Sequence, residues 1–507
     1  MNSTKQLKVG VFLSYLTLAL SNVIALAYTP FMLRMMGQSE YGLYSLVASV
    51  VAYLTVLDFG FGNAIVRYTS KYRAEQRFDE LSSLFGMFLL MYVGIGLLAF
   101  SIGVGLYFNV DWLFDRSMTV AELSKARIMI LLMVFNVSIT FPLSLFPSII
   151  VAHENFIFHK TVNLVRILLQ PCLMIPLLLM GHKALGMVVL MTSLNLASLL
   201  TYCWYCFFHL KIQISFFSFQ GSLLKEISAY SFFVFLTIIV DRAFWSTGQF
   251  ILGMLNGTKD VAVYALVVQL CNYYMAFSLA ISGVFLPKMT QLVVEKRSHK
   301  EISDLFVKIG RIQFIILGYI LFGFILFGRE FVFYWAGENY GMVYPLALML
   351  MIPQTVPLIQ NLGISVLQAQ NRQQFRAFVN FTVALASVFA AYQLTKRFGI
   401  IGCAIATSSA LLVGHGFILN WYYKAKIHLD ISSFWKQILK LGVPFVISAI
   451  LVGGVKFLIS ENDLSAVFLE AVLYTLLCFV LLWFGACSPF EKEQLLVPLR
   501  KLWKKVK

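Results

Sequence analysis

Stretch after stretch of this chain runs to about twenty apolar residues, and that pattern leaves few folds open. A segment of this length crosses ~30 Å of hydrocarbon as an α-helix. Lipid offers backbone groups no hydrogen bonds, so only helices and closed barrels can stand there. Fourteen such spans are expected: 9–32, 43–66, 82–107, 127–151, 161–181, 185–208, 228–253, 261–286, 309–328, 345–368, 378–395, 402–423, 441–459 and 466–486. Pro142, Pro147, Pro171, Pro176, Pro353 and Pro357 fall inside them, which membrane helices tolerate. Composition agrees: 60% of residues are hydrophobic and 12% charged, against about a quarter charged in a soluble domain. The expected fold is an all-α polytopic membrane protein.

The first span has features of a cleaved leader, with Lys5 and Lys8 ahead of it and Ala25-Leu26-Ala27 near its end. Its apolar run is longer than a leader's and continues through Thr29-Pro30-Phe31, so it is expected to remain as a helix.

A formal net charge of +16 raises the question of nucleic acid. With the N-terminus inside and the spans alternating, Lys and Arg divide as 27 cytoplasmic, 9 external and 3 within helices, out of 39. The cytoplasmic share includes 67–80, 287–311, 423–440 and the tail from Arg500 to Lys505. That is the positive-inside bias of membrane proteins, and no nucleic-acid partner is expected. Both termini are expected on the cytoplasmic side of a bacterial inner membrane.

The chain also repeats itself. A shift of 220 brings Leu16-Thr17 onto Leu236-Thr237, Gly37 onto Gly257 and Tyr44 onto Tyr264. A shift of 221 brings 79–85 onto 300–306, and 217 brings Ala152 onto Ala369 and Phe158 onto Phe375. Spans 1–6 are thus repeated in 7–12, with two spans appended. The expected organisation is an N-terminal lobe over 1–208, a C-terminal lobe over 209–423, and the last two helices with a basic tail over 424–507. Six is even, so both halves keep one orientation, as parallel repeats in transporters do. Two bundles about a cleft allow rocking between inward-open and outward-open states.

Charges inside the bilayer cost at least ~2.5–3.5 kcal/mol each at a helix centre and tend to face cavities or partners. Asp58, Arg166, Asp241 and Arg242 are such charges. Polar neighbours at helical spacing extend them: Thr55 and Gly62 beside Asp58, Asn163 and Gln170 beside Arg166, Ser246 and Gln249 beside Arg242. Asn22, on a polar stripe of the first span, is the repeat counterpart of Arg242. Two readings stand open. The arginines, with Asn22, Asn163, Gln170 and Gln249, could bind substrate. Alternatively Asp58 and Asp241 could neutralise them as interlobe salt bridges, or serve ion coupling.

Gly37-x-x-Glu40-Tyr41-Gly42-x-Tyr44, then Leu57-Asp58-Phe59-Gly60 and Arg67, resembles the N-terminal hallmark of Wzx-like flippases for lipid-linked oligosaccharide. Residues 240–266, with Asp241-Arg242 and later Gly257 and Tyr264, look like that family's seventh helix. The resemblance covers nearly the whole chain. It implies the fold shared by multidrug exporters and murein lipid II flippases. It also implies transport of polyprenyl-diphosphate-linked repeat units to the outer leaflet for O-antigen, capsule or exopolysaccharide. The expected partners are that glycolipid, H+ or Na+ as coupling ion, and polymer-assembly proteins around a monomer.

Enzyme signatures are absent. There is no G-x-x-x-x-G-K-[ST] phosphate loop, His153-Glu154 lacks a zincin's second His, and Asp111 and Asp115 are too far apart for a D-x-D site. Cys172, Cys203, Cys206, Cys271, Cys403, Cys478 and Cys487 all fall in or beside apolar spans, where buried thiols are the expected reading. No cofactor or metal is expected. The alternatives are a cation-coupled drug exporter, which would line its pocket with acids, and a glycan polymerase or ligase, which would need a large external loop.

Overall fold

The computed structural model describes residues 3–216, 221–370, 372–459 and 464–493. The basic tail beyond 493 lies outside them. The described chain is helical throughout, with no strand, and it is a multi-pass membrane protein: twelve helical stretches are long and apolar enough to cross a bilayer.

The first six spans are α1 (Ser3–Met36), α2, α3 (Phe78–Phe108), α4, α5 (Phe156–Leu179) and α6 (Ala184–Phe208). Both α2 and α4 are segmented. In α2, Gln38–Leu54 leads through a 3-10 turn at Thr55–Asp58 into Phe61–Ala74. In α4, Val120–Leu143 is followed by Leu145–Ala152. Then come α7 (Gly221–Trp245 and Thr247–Leu255), α8 (Thr258–Val294), α9 (His299–Ala336) and α10 (Val343–Ile359 and Asn361–Ala369). The expected spans 11 and 12 share one helical run from Gln373, broken at Gly399, where φ is 58°, and these parts are α11 and α12. Last are α13 (Ile431–Ile459) and α14 (Leu464–Leu481). The two parts of α7 are not among the twelve apolar stretches, and one stretch, Gln373–Ala425, carries both α11 and α12.

The repeat is written into the backbone as well. Positive φ recurs at Gly37 and Gly257 and at Gln76 and Lys296, both pairs 220 apart. It recurs again at Gly181 and Gly399, 218 apart, and at Lys211 and His428, 217 apart. The breaks in α4 and α10, at Ser144 and Gln360, are 216 apart. Connections of one geometry therefore join different residues in the two halves.

Contacts divide the chain into two compact units. The first comprises Met1–Ala265 with Thr395–Ile400, the second Leu266–Leu394 with Ile401–Lys507. Phe61, Phe88, Tyr92, Phe146 and Ile149 are buried at the core of the first. Close backbone approaches tie its helix ends together. A Cβ on Gly42 would stand 1.8 Å from the carbonyl oxygen of Thr258, so only glycine lets α2 start there. The Thr258 hydroxyl donates to Glu122 Oε1 at 2.8 Å, and the Ser117 hydroxyl donates to the Gly253 carbonyl at 2.5 Å. Glu122 also closes a capping box with Thr119 at the start of α4.

In the second unit, α9, α13 and α14 pack around Leu441, Phe445 and Tyr474. Arg311 closes the basic flank 287–311 of the sequence reading. It is buried and ion-paired with Glu491: Nη2 donates to Glu491 Oε2 at 3.0 Å and to the Ala486 carbonyl at 2.8 Å.

Candidate functional site

A cavity of about 330 Å³ lies within the first unit, walled by α2, α4, α5 and α6. On α2, Ala48 and Ala52 sit one turn apart and leave space that larger side chains would fill. Opposite them, Arg166 and Gln170, also one turn apart, come from α5. Asn136 of α4 and Thr192 and Asn195 of α6 complete the polar part of the wall.

Neutral amides hold Arg166. Its Nη1 donates to Asn195 Oδ1 at 3.1 Å. Asn195 spends its own Nδ2 on Asn136 Oδ1 and Thr140 Oγ1, both at 2.9 Å. With both acceptors committed, the Asn195 oxygen has one orientation, and Arg166 inherits it. Arg242 reaches the same wall from α7. Its Nη2 donates at 3.1 Å to Thr55 Oγ1, which donates in turn to the Ala52 carbonyl at 2.7 Å. The Nε of Arg242 is buried with no partner. Tyr53, hydrogen-bonded to Thr247, ties α2 to the second part of α7 at that level.

Neither guanidinium takes part in an ion pair. The ion pairs seen among the described residues lie elsewhere, and none of the described residues lining the cavity is acidic. Arg166 brings a positive charge to a wall whose described residues include no carboxylate, and that favours an anion. Guanidinium groups supply paired, charge-assisted hydrogen bonds to phosphate or carboxylate.

The residues expected from sequence are thus only partly brought together. Arg166 and Gln170 line the cavity, and Arg242 joins it through Thr55. Asn163 does not line it; its Nδ2 lies 3.3 Å from His159 Nε2. Asn22 donates to the Leu18 carbonyl of its own helix at 3.0 Å. Gln249 is half-buried on the second part of α7, away from the lining. Asp58 accepts from the Tyr92 hydroxyl at 3.0 Å and from the Gly60 backbone. Asp241 is exposed on α7. Asn136, Thr140, Thr192 and Asn195 were missed. The polar-stripe rule finds them when it is applied to α4 and α6, since Asn136 and Thr140 are one turn apart, as are Thr192 and Asn195.

Residues 7–293, more than half of the chain, match the family described as polysaccharide biosynthesis protein. The chain belongs to that family. This polysaccharide biosynthesis protein is 20% identical over 420 residues to a Shigella flexneri protein named as an O-antigen transporter, covering 80% of this chain and 94% of that one. Its fold is similar to that of the lipid II flippase MurJ in an inward closed conformation, with a TM-score of 0.64 at 15% identity over 94% of this chain and 98% of that one. It is also similar to an inward-facing multidrug resistance transporter of the MATE family in the MOP superfamily, with a TM-score of 0.59 at 13% identity over 82% and 99% of the two chains. These structural likenesses show the fold that the sequence resemblance implied.

If the cavity is wet, a cysteine at Gln170, in a background lacking the seven native cysteines, reacts with a small water-soluble thiol reagent. The same reagent leaves a cysteine at Leu477 of α14 unlabelled. Equal, negligible labelling at both positions would make the cavity a dry packing gap.

Proposed function

We propose that this protein flips polyprenyl-diphosphate-linked oligosaccharide repeat units from the cytoplasmic to the outer leaflet, for O-antigen, capsule or exopolysaccharide synthesis. The observation that carries the reading is Arg166 in the cavity wall, held by Asn195, with Arg242 bonded to Thr55 of the same wall and neither arginine in an ion pair among the described residues. A cavity of about 330 Å³ is at the small end of ligand pockets. It suits a diphosphate and the sugar next to it, with the rest of the glycan outside. The amides of Asn136 and Gln170 match sugar hydroxyls.

Alternating access supplies the movement, and an ion gradient or downstream consumption of product supplies the energy. H+ and Na+ are the candidate ions, and Asp58 and Asp241 the candidate carriers. The protein works without a cofactor and without enzyme chemistry, in the bacterial cytoplasmic membrane with both termini inside, where the distribution of Lys and Arg supports that orientation. The drug-exporter reading fares worse here, because a cationic drug in the cavity would meet Arg166 and no acid among the described lining residues.

Deleting the gene is expected to abolish the surface polymer and to leave lipid-linked repeat units on the cytoplasmic leaflet. Re-expression restores export. Normal polymer in the deletion strain, with no such accumulation, would refute the flippase reading.

A further inference from the structure

A second hollow in the first unit, of about 510 Å³, is built almost entirely from apolar side chains. Met91, Ile95 and Leu98 give it one face of α3, at spacings of four and three residues. Phe59 and Phe61 close it from α2. Phe59 stacks on Phe235 of α7 with ring centroids 4.7 Å apart, and Phe61 meets Tyr92 edge-on at 6.1 Å. Gly94 gives the hollow its depth, since a Cβ there would meet nothing within 4 Å. Leu98 is 51% exposed, as are its neighbours Leu90 and Leu97 to similar degrees, so the groove opens on an apolar surface of α3. Ser231 is the one polar side chain among its described lining residues. That hydroxyl is 1% exposed and has no partner.

The groove and the arginine cavity share one structural element. Thr55 lines the cavity and anchors Arg242, and Phe59 lines the groove. Between them runs the single 3-10 turn Thr55–Asp58. At ~2.0 Å per residue that turn carries the backbone about 8 Å from Thr55 to Phe59. An amphiphile whose anionic head is bonded directly to an apolar chain matches that arrangement. We infer that the groove holds the isoprenoid chain of the carrier lipid whose diphosphate occupies the arginine cavity, an assignment that rests on the function proposed above.

Transfer of a chain from lipid to an apolar groove gains little by itself, because lipid tails are as apolar as the side chains that replace them. What the groove supplies is position. A chain lodged between α2 and α3 holds the tethered diphosphate beside Arg166 and Arg242 at a high effective concentration.

The test uses the full-length purified protein with three probes: inorganic diphosphate, farnesyl diphosphate and straight-chain dodecyl diphosphate. Farnesyl diphosphate is expected to bind at least roughly tenfold more tightly than inorganic diphosphate, about 1.4 kcal/mol. Gly94→Leu, which fills the groove, is expected to erase that advantage while inorganic diphosphate still binds within about twofold of the parent value. The retained diphosphate binding shows that the variant is folded, and Gly94→Ala is expected to give a partial loss. An advantage that survives Gly94→Leu would place the chain elsewhere, ending the groove assignment while leaving the cavity reading intact. Dodecyl diphosphate matching farnesyl diphosphate in both proteins would make the groove a general acyl-chain site, and the assignment to the carrier would fall. No binding of inorganic diphosphate to the parent protein would remove the anion site and the groove assignment with it.

Discussion

Arg242→Ala is expected to lower surface-polymer output by roughly 10- to 100-fold, the equivalent of the ~1.5–3 kcal/mol of a hydrogen bond to a charged group. Protein abundance and membrane insertion should stay near the parent level. The reason is that the Arg242 guanidinium forms no ion pair among the described residues and donates to the neutral hydroxyl of Thr55, so its removal leaves no described ion-pair partner behind. Arg242→Lys should keep part of the output, because the charge survives and the two-pronged geometry does not. Arg166→Ala should behave like Arg242→Ala, with Asn195 left to rebond within its amide cluster. Quantifying polymer and protein in the same cells checks this. Loss of output in proportion to loss of protein would give the arginines a structural role instead.

The largest effect on stability is expected at the other end of the chain. Glu491 is 1% exposed at its side chain and Arg311 10%. Glu491 also accepts from the Ser488 backbone at 2.8 Å, so it caps the segment that follows α14 while it holds α9. Removing one partner of a buried pair leaves the other charged and desolvated, at a cost of about 3–5 kcal/mol. Glu491→Ala should therefore lower the thermal midpoint of the purified protein sharply and reduce its abundance. Replacing both partners with apolar residues of similar volume, Arg311→Met with Glu491→Leu, should recover most of the loss. A single variant as stable as the parent would show that water reaches the pair.

The spans were readable because hydropathy over twenty residues is insensitive to local detail. The breaks inside them were not. Phe59 adopts a φ of 52°, a region that an aromatic residue avoids by its own preference. Its stacking on Phe235, far along the chain, accompanies that choice. Arg166 and Gln170 were readable because a charge in an apolar run is costly enough to demand a reason. Asn136 and Asn195 carry the same network without a charge, so a search led by charge passed over them. Arg311 and Glu491 are 180 residues apart, and nothing in either neighbourhood names the other. Sequence spacing found the groups on one helix that share a face. It could not say which helices meet.

The recurrence of positive φ at Gly37 and Gly257, and again at Gln76 and Lys296, bears on how such a gene can grow. A half with an even number of crossings begins and ends on one side of the membrane. A tandem copy fused in frame then starts where the first stopped, and each of its loops faces the compartment that its parent faced. The Lys and Arg that orient the first half would orient the second without a single substitution. From that start, the two copies can diverge side chain by side chain, as at Asn22 and Arg242, while the connections between helices stay as they were.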